Sequence, residues 1–358
     1  MKKNIKNYEN NIQTLDILLK NSGLTEANEL YIKIDPAIQL IAIVAIDKSN
    51  RGPAIGGTRC ISYESVQDAI TDAIKLSTTM GYKTRFAGLP FSGGKVVMVQ
   101  PKQDIDREEY FAAYGKFIES LDGRIITGCD SGVSQKDMQI AAKYTKYITG
   151  LPEADEGHDD LAFLTALGVQ EAMKASVDFK FGKKDLKGIR VSIQGLGKVG
   201  ADLAASLYQQ GAELTVTDID PYKITLFCNK YNVKTVTPNE IYQIECDIFA
   251  PCGLGGVINN QTIIALTDKI ICGAANNPLS SIDLDKTLKE KGIIYIPDFI
   301  ANIGGTVYAA LSYQGDTSSS AEEWILSNLF HKTLTLLKYS SENNLSTCIG
   351  AELMLEKL

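Results

Sequence analysis

Hydrophobic and polar positions follow two different rhythms along this chain of 358 residues. Up to about residue 150, short apolar runs predict strands: LYIKID, LIAIVAID, GGTRCISY and KVVMVQ. Two segments of helical period lie between and after them. In SVQDAITDAIKLSTTMG, Val66, Ala69, Ile70, Ala73, Ile74 and Met80 recur near the spacing of a helix face. REEYFAAYGKFIESL carries acidic residues in its first turn, where the helix dipole favours them. Residues 150–160, GLPEADEGHDD, are acidic and nearly free of apolar side chains, and read as a linker or hinge. A further helix is predicted at LAFLTALGVQEAMKAS.

From residue 188 the rhythm becomes a regular alternation of strand and helix. GIRVSIQG leads into KVGADLAASLYQQG and then ELTVTD, with later strands at CDIFAP, KIICGA and GIIYIPD. Such alternation implies right-handed βαβ units and a parallel sheet. After Gly304-Gly305 the pattern is helical to the end, with Trp324, Ile325, Leu329, Leu334, Leu336 and Leu337 on one face of AEEWILSNLFHKTLTLLKYSSENN.

Composition changes this picture little. A length of 358 residues suggests two domains. With 44% hydrophobic and 22% charged residues, the chain has ordinary globular proportions. A formal charge of -7 and the lack of a basic patch argue against nucleic acid as a partner. IQLIAIVAI, the longest apolar run, is too short to span a bilayer, and MKKNIKNYENNIQ lacks the apolar stretch of a signal peptide. A cytoplasmic location is expected, without a membrane partner. Seven scattered cysteines form no CxxC pair, and with only His158 and His331 beside them no metal site is expected.

Chemistry concentrates at two places. Lys83 and Lys95 bracket the string YKTRFAGLPFSGGK, upstream of Asp130 in GCDSG. One ammonium suits a substrate carboxylate, a second amid glycines and apolar groups suits proton transfer, and a carboxylate beside it can exchange protons with an amine. The set fits an α-amino or α-keto acid. The second place is Gly195-Leu196-Gly197-Lys198-Val199-Gly200, which matches the dinucleotide fingerprint, follows an apolar strand and opens a helix. Asp218 lies eighteen residues past Gly200, at the end of the next strand. A carboxylate there accepts from ribose hydroxyls and repels a 2′-phosphate, so NAD is favoured over NADP.

Taken together, the ordered strings AIGGTR, MGYKTRFAGLPFSGGK, ITGCDSG, QGLGKVG, VTDID, PNEIYQIECDIFAPCGLGGVIN, GAANN and PDFIANIGG resemble the glutamate, leucine, phenylalanine and valine dehydrogenase family. The resemblance runs from about Leu30 to the C-terminus and is closest to the branch acting on hydrophobic amino acids. It implies an α/β protein: an N-terminal substrate-binding and oligomerisation domain over residues 1–150, and a doubly wound Rossmann-type NAD-binding domain over 151–334. Residues 335–358 would pack back on the first domain, and the active site would be the cleft between the domains. Homo-oligomers are usual in the family.

Residue by residue, the resemblance gives Lys83 the substrate carboxylate. It makes Lys95 the low-pKa lysine that polarises the keto group and activates water, and Asp130 the group exchanging protons with the amine. Gly56 and Gly57 would floor the substrate. Asn302 and Thr165 would reach substrate and nicotinamide, and Ala274 and Asn276 the cofactor. Ile55 stands where a glutamate enzyme would carry a lysine, which argues for an apolar substrate side chain. The pocket would include Gly128, Thr306 and Ala309, with the small Gly128 and Ala309 leaving room for a larger side chain. The expected activity is NAD-dependent oxidative deamination of a hydrophobic L-amino acid, and its reverse. Three departures border the expected site: the hinge from His158 to Phe163, Cys129 with Ser131 around Asp130, and Ile303 in PDFIANIGG. They leave open a catalytically weak relative that binds NAD or an amino acid, and a glutamate enzyme with a cation from Lys75 or Arg85.

Overall fold

The computed structural model describes residues 27–151, 160–267 and 269–357. Contacts divide the chain into two compact units, Met1–Asp155 and Glu156–Leu358.

The first unit is a five-stranded sheet in the order β1-β2-β4-β3-β5. Its strands are β1 (Ala27–Asp35), β2 (Leu40–Asp47), β3 (Ala54–Ile61), β4 (Ser92–Val99) and β5 (Ile125–Cys129). β1 and β2 pair antiparallel, as do β2 and β4, while β3 runs parallel to both β4 and β5. Helix α1 (Val66–Ala87) lays Ala69, Ile70, Ala73 and Ile74 against Ile43, Ala45 and Val97 of the sheet. Ser65 caps its start by accepting from the Asp68 N–H. Helices α2 (Arg107–Ser120) and α3 (Gln135–Ala142) complete this unit among the described residues.

The α1 helix runs past Gly81, where the periodic pattern stops, through Lys83 to Ala87. Gly81 is tolerated in the helix interior because its neighbour leaves no room for a side chain. A Cβ there would lie 1.7 Å from Oδ2 of Asp47, and one on Gly93 would lie 2.1 Å from the Gly81 nitrogen. Asp47 in turn accepts from the Gly93 N–H at 2.9 Å, so helix, β2 and β4 are drawn together at one point.

The second unit carries a wholly parallel six-stranded sheet in the order β11-β10-β9-β6-β7-β8. Its strands are β6 (Arg190–Gln194), β7 (Glu213–Thr217), β8 (Lys234–Thr235), β9 (Ile248–Pro251), β10 (Ile270–Ile271) and β11 (Ile294–Tyr295). Counted from β6 as the first strand, this is the 3-2-1-4-5-6 order of a doubly wound dinucleotide fold. The order reverses beside β6, so the crevice opens where the glycine-rich turn leaves that strand. Helices α4 (Asp160–Phe181), α5 (Lys198–Gln209), α6 (Pro221–Cys228), α7 (Asp283–Glu290), α8 (Asp298–Ala301), α9 (Gly304–Gln314), α10 (Ser318–Glu342) and α11 (Thr347–Glu356) follow in chain order.

The C-terminal residues group with this second unit, where the resemblance had implied the first. Cys348 belongs to its core with Phe249, Ile271 and Tyr295, and the Cys348 N–H donates to Oδ2 of buried Asp285 at 3.1 Å. Much of the expected hinge lies outside the described residues, including His158 and Asp159. Asp160 to Phe163 form the first turn of α4. No helix among the described residues is long and apolar enough to cross a membrane.

Candidate active site

In the first unit the sheet brings Lys95, Asp130, Gly57 and Arg59 together. Lys95 lies on β4, is 6% exposed, and donates from Nζ to Oδ2 of Asp130 at 2.6 Å. Asp130 follows directly after β5, which β3 separates from β4. Only an absent side chain on β3 lets the two meet. A Cβ on Gly57 would lie 2.9 Å from the Asp130 Cβ, 3.0 Å from the Cys129 carbonyl and 3.5 Å from Lys95 Nζ. Gly57 is thus the floor of the pair. Gly56 is not: its side-chain position is filled by the Gly94 carbonyl at 1.7 Å, so it serves close strand packing.

Burial pushes the Asp130 carboxyl up, but the charges of Lys95 and then Arg59 outweigh it and hold the group at about 2. Asp130 is therefore an anion throughout the neutral range. Arg59, two residues after Gly57, donates from Nε to the same Oδ2 at 3.1 Å. Arg59 closes the string AIGGTR with no role implied by the resemblance; strand alternation from Gly57 is the signal in the sequence that places it on the same face. Behind the strand, Thr58 bonds Thr127 Oγ1 at 2.7 Å and the buried Tyr114 hydroxyl, fixing β3 against β5 and α2.

Lys83 is buried near the end of α1. The Gly81–Gly93 contact brings the helix onto β4, with Lys83 and Lys95 each two residues beyond it. Ile55 is buried on β3. Gly128 leaves no spare volume beside β5, because the Thr149 carbonyl lies 2.7 Å from where its Cβ would be.

The second unit gathers the remaining expected residues at two points. Gly195 has φ +104, a left-handed backbone that favours glycine, and its N–H donates to the Thr217 carbonyl at 2.8 Å. Gly200 packs its backbone on the turn, since a Cβ would meet the Gly195 carbonyl at 2.1 Å. Gly197 caps α5 without a side-chain bond, and nothing lies within 4 Å of its Cβ position. Lys198 and Val199 open the helix, whose first N–H groups suit an anion. Asp218 is buried and accepts from the Leu196 N–H at 2.6 Å and the Asp220 N–H at 2.8 Å. The exposed apolar side chains Ile219 and Leu254, 83% and 78% exposed, stand in the loops after β7 and β9 and were not singled out from the sequence.

At the second point, Asn302 donates from Nδ2 to the Ala274 carbonyl at 3.1 Å and to Oδ1 of Asn276 at 2.9 Å. Its own Oδ1 is buried with no partner. Such an acceptor costs stability unless a donor reaches it. Thr165 lies beside α9, where a Cβ on Gly305 would meet its Oγ1 at 2.9 Å, and its hydroxyl donates to the Leu161 carbonyl at 2.7 Å. Thr306 is buried and Ala309 half-buried on α9. Ile303, expected at the border of the site, is fully buried, so its size answers to core packing.

Residues 34–147 match the family model for the Glu/Leu/Phe/Val dehydrogenase dimerisation domain, and residues 215–344 that for Glutamate/Leucine/Phenylalanine/Valine dehydrogenase. Leucine dehydrogenase of Geobacillus stearothermophilus is 38% identical over 321 residues, 89% of this chain and 86% of that protein. The chain belongs to the glutamate/leucine/phenylalanine/valine dehydrogenase family. Another relative, phenylalanine dehydrogenase of Bacillus thermotolerans, is 42% identical over 292 residues, covering 80% and 76% of the two chains. The crystal structure of L-tryptophan dehydrogenase from Nostoc punctiforme superposes with a TM-score of 0.80 at 34% identity, covering 95% of this chain and 96% of that one. Family membership makes the chain an amino-acid oxidoreductase, and the clustered lysine and aspartate belong to strings the resemblance had singled out.

Proposed function

We propose that this protein is an NAD-dependent dehydrogenase that deaminates a hydrophobic L-amino acid, of the leucine, valine, phenylalanine or tryptophan class, to its 2-oxo acid and ammonia. It also runs the reverse reductive amination. The observation that carries this reading is the partly buried Lys95–Asp130 pair over Gly57. An ammonium and a carboxylate sharing one hydrogen bond can hold an amine and a carbonyl oxygen at once, and can pass a proton between Nζ and Oδ2.

Lys83 would bind the substrate carboxylate. Asp130, anionic at neutral pH, would draw the α-amino group toward Lys95, and Lys95 would polarise the 2-oxo oxygen and hold the hydrolytic water. The Gly195–Gly200 turn and the open α5 N-terminus fit a pyrophosphate, and Asp218 fits the ribose, which favours NAD over NADP. Ile219 and Leu254 suit the faces of an adenine ring. The unpartnered Asn302 Oδ1, with Thr165, Ala274 and Asn276, suits an amide or amine donor from nicotinamide or substrate. Bound nicotinamide would supply the hydride acceptor. Ile55, in place of a cation, supports an apolar substrate side chain. The dimerisation-domain description of residues 34–147 supports a homo-oligomer, and the reading carries with it a cytoplasmic location.

The test is NADH oxidation by the purified chain with ammonia and the 2-oxo acids of leucine, valine, phenylalanine, tryptophan and glutamate. Turnover with at least one apolar acid, well above that with the glutamate acid, is expected. Silence across the panel with both NADH and NADPH would overturn the reading.

A further inference from the structure

Beside the Lys95–Asp130 pair stands a second ion pair to which the expected chemistry gives no task. The guanidinium of Arg59 divides its donors between two carboxylates. Nε reaches Oδ2 of Asp130 at 3.1 Å, and the NH1 nitrogen reaches Oδ2 of Asp72, on α1, at 3.0 Å. That Asp72 oxygen also accepts from the Tyr63 hydroxyl at 2.6 Å. Charges alternate along the row Lys95, Asp130, Arg59, Asp72, so the cluster is neutral as a whole. The four side chains are only 8%, 21%, 15% and 24% exposed. An exposed ion pair would contribute little, but here solvent screening is reduced.

The plain alternative is a brace tying β3 to α1, for which the Arg59–Asp72 contact would suffice. Arg59 does more, because it shares with Lys95 the single oxygen Oδ2 of Asp130. Building on the dehydrogenase reading, we infer that Arg59 is a positioning residue that fixes the Asp130 carboxylate for the substrate amino group, with Asp72 and Tyr63 aiming its guanidinium. Among the described residues, the charges that act on Asp130 are Lys95 from β4 and Arg59 from β3, with Asp72 of α1 behind Arg59. Arg fits this task better than Lys, whose single point charge cannot span two carboxylates in a fixed fork. Burial lowers Arg59, and the charges of Asp130 and Asp72 more than reverse this, so it stays a cation. Tyr63 is raised by burial and by Asp72, so it stays a donor.

The test uses the full chain as Arg59→Met, Arg59→Lys and Asp72→Asn. The pH profiles of kcat and KM are read together with the carboxyl carbon of 13C-labelled aspartate, the Asp130 signal being assigned by its loss in Asp130→Asn. In Arg59→Met one of the two cations is gone, so the Asp130 titration should move up by about one to three pH units. A misplaced carboxylate should lower kcat about ten- to a hundredfold, with KM changing less. Arg59→Lys should recover part of both losses. Asp72→Asn keeps both cations and loosens only the aim of Arg59, so its kcat should fall less than that of Arg59→Met.

An Asp130 titration unchanged in Arg59→Met, or in Arg59→Gln should the first variant not fold, would overturn the inference. So would an unchanged kcat in Arg59→Met. If the wild-type chain turned over no amino acid, the dehydrogenase reading would fail, and the carboxyl titration would still decide for or against Arg59.

Discussion

Single atoms decide the site. The Lys95 ammonium and Asp130 carboxylate meet across a strand because residue 57 has no Cβ. Gly57→Ala would bring a methyl to 2.9 Å from the Asp130 Cβ and 3.0 Å from the Cys129 carbonyl, closer than packed atoms stand. The carboxylate must then move, and steady-state assays should find kcat down by about a hundredfold, since small misplacements of reacting groups cost that much. The melting temperature should change far less. The lysines, Asp130 and the glycine-rich turn were legible in the sequence because each belongs to a short local string. The direction in which a residue points was not. Gly56 and Gly57 look alike in AIGGTR, yet one meets a neighbouring backbone and the other makes room for the ion pair. Arg59 stayed unassigned for a related reason: its partners, Asp72 and Asp130, lie thirteen and seventy-one residues away.

At the scale of elements, periodicity identified most strands and helices, because the parallel strands are apolar runs and the helices show one buried face. It failed where context overrode it. Ile125–Cys129 forms β5 with only five residues, two of them Gly and Cys, and without alternation. Helix α1 continues past a glycine that reads as its end. The Asp47 carboxylate explains this, since it accepts from the Gly93 N–H and from Ser49, and occupies the space a side chain at 81 would need. Gly81→Ala should therefore lower stability, although alanine is the better helix former. Overpacking of this kind costs about 1–3 kcal/mol, measurable by urea unfolding. Equal or greater stability would show that Asp47 moves aside freely.

For the whole molecule, the candidate residues fall in two separate units. The ion-pair cluster and Lys83 belong to Met1–Asp155, and the glycine-rich turn with Asp218 belongs to Glu156–Leu358. Lys95→Ala should therefore abolish turnover while NADH affinity, followed by titration calorimetry, stays within about twofold of wild type, since Lys95 belongs to the unit that does not carry the glycine-rich turn and residues without shared partners act nearly independently. An equal loss of NADH binding would refute this division.

The ties of the glycine-rich turn have a further consequence. Gly195 is already bonded to the Thr217 carbonyl and Leu196 to Asp218, before any dinucleotide is considered. The conformational entropy of ordering that loop is thus lost when the chain folds rather than when the ligand arrives. On the proposed function, Asp218 would be both a contact for the ribose and a strut for the phosphate cradle. Pyrophosphate recognition and sugar recognition would then be coupled through one carboxylate, so redesigning ribose selectivity at position 218 should also loosen the grip on the phosphates.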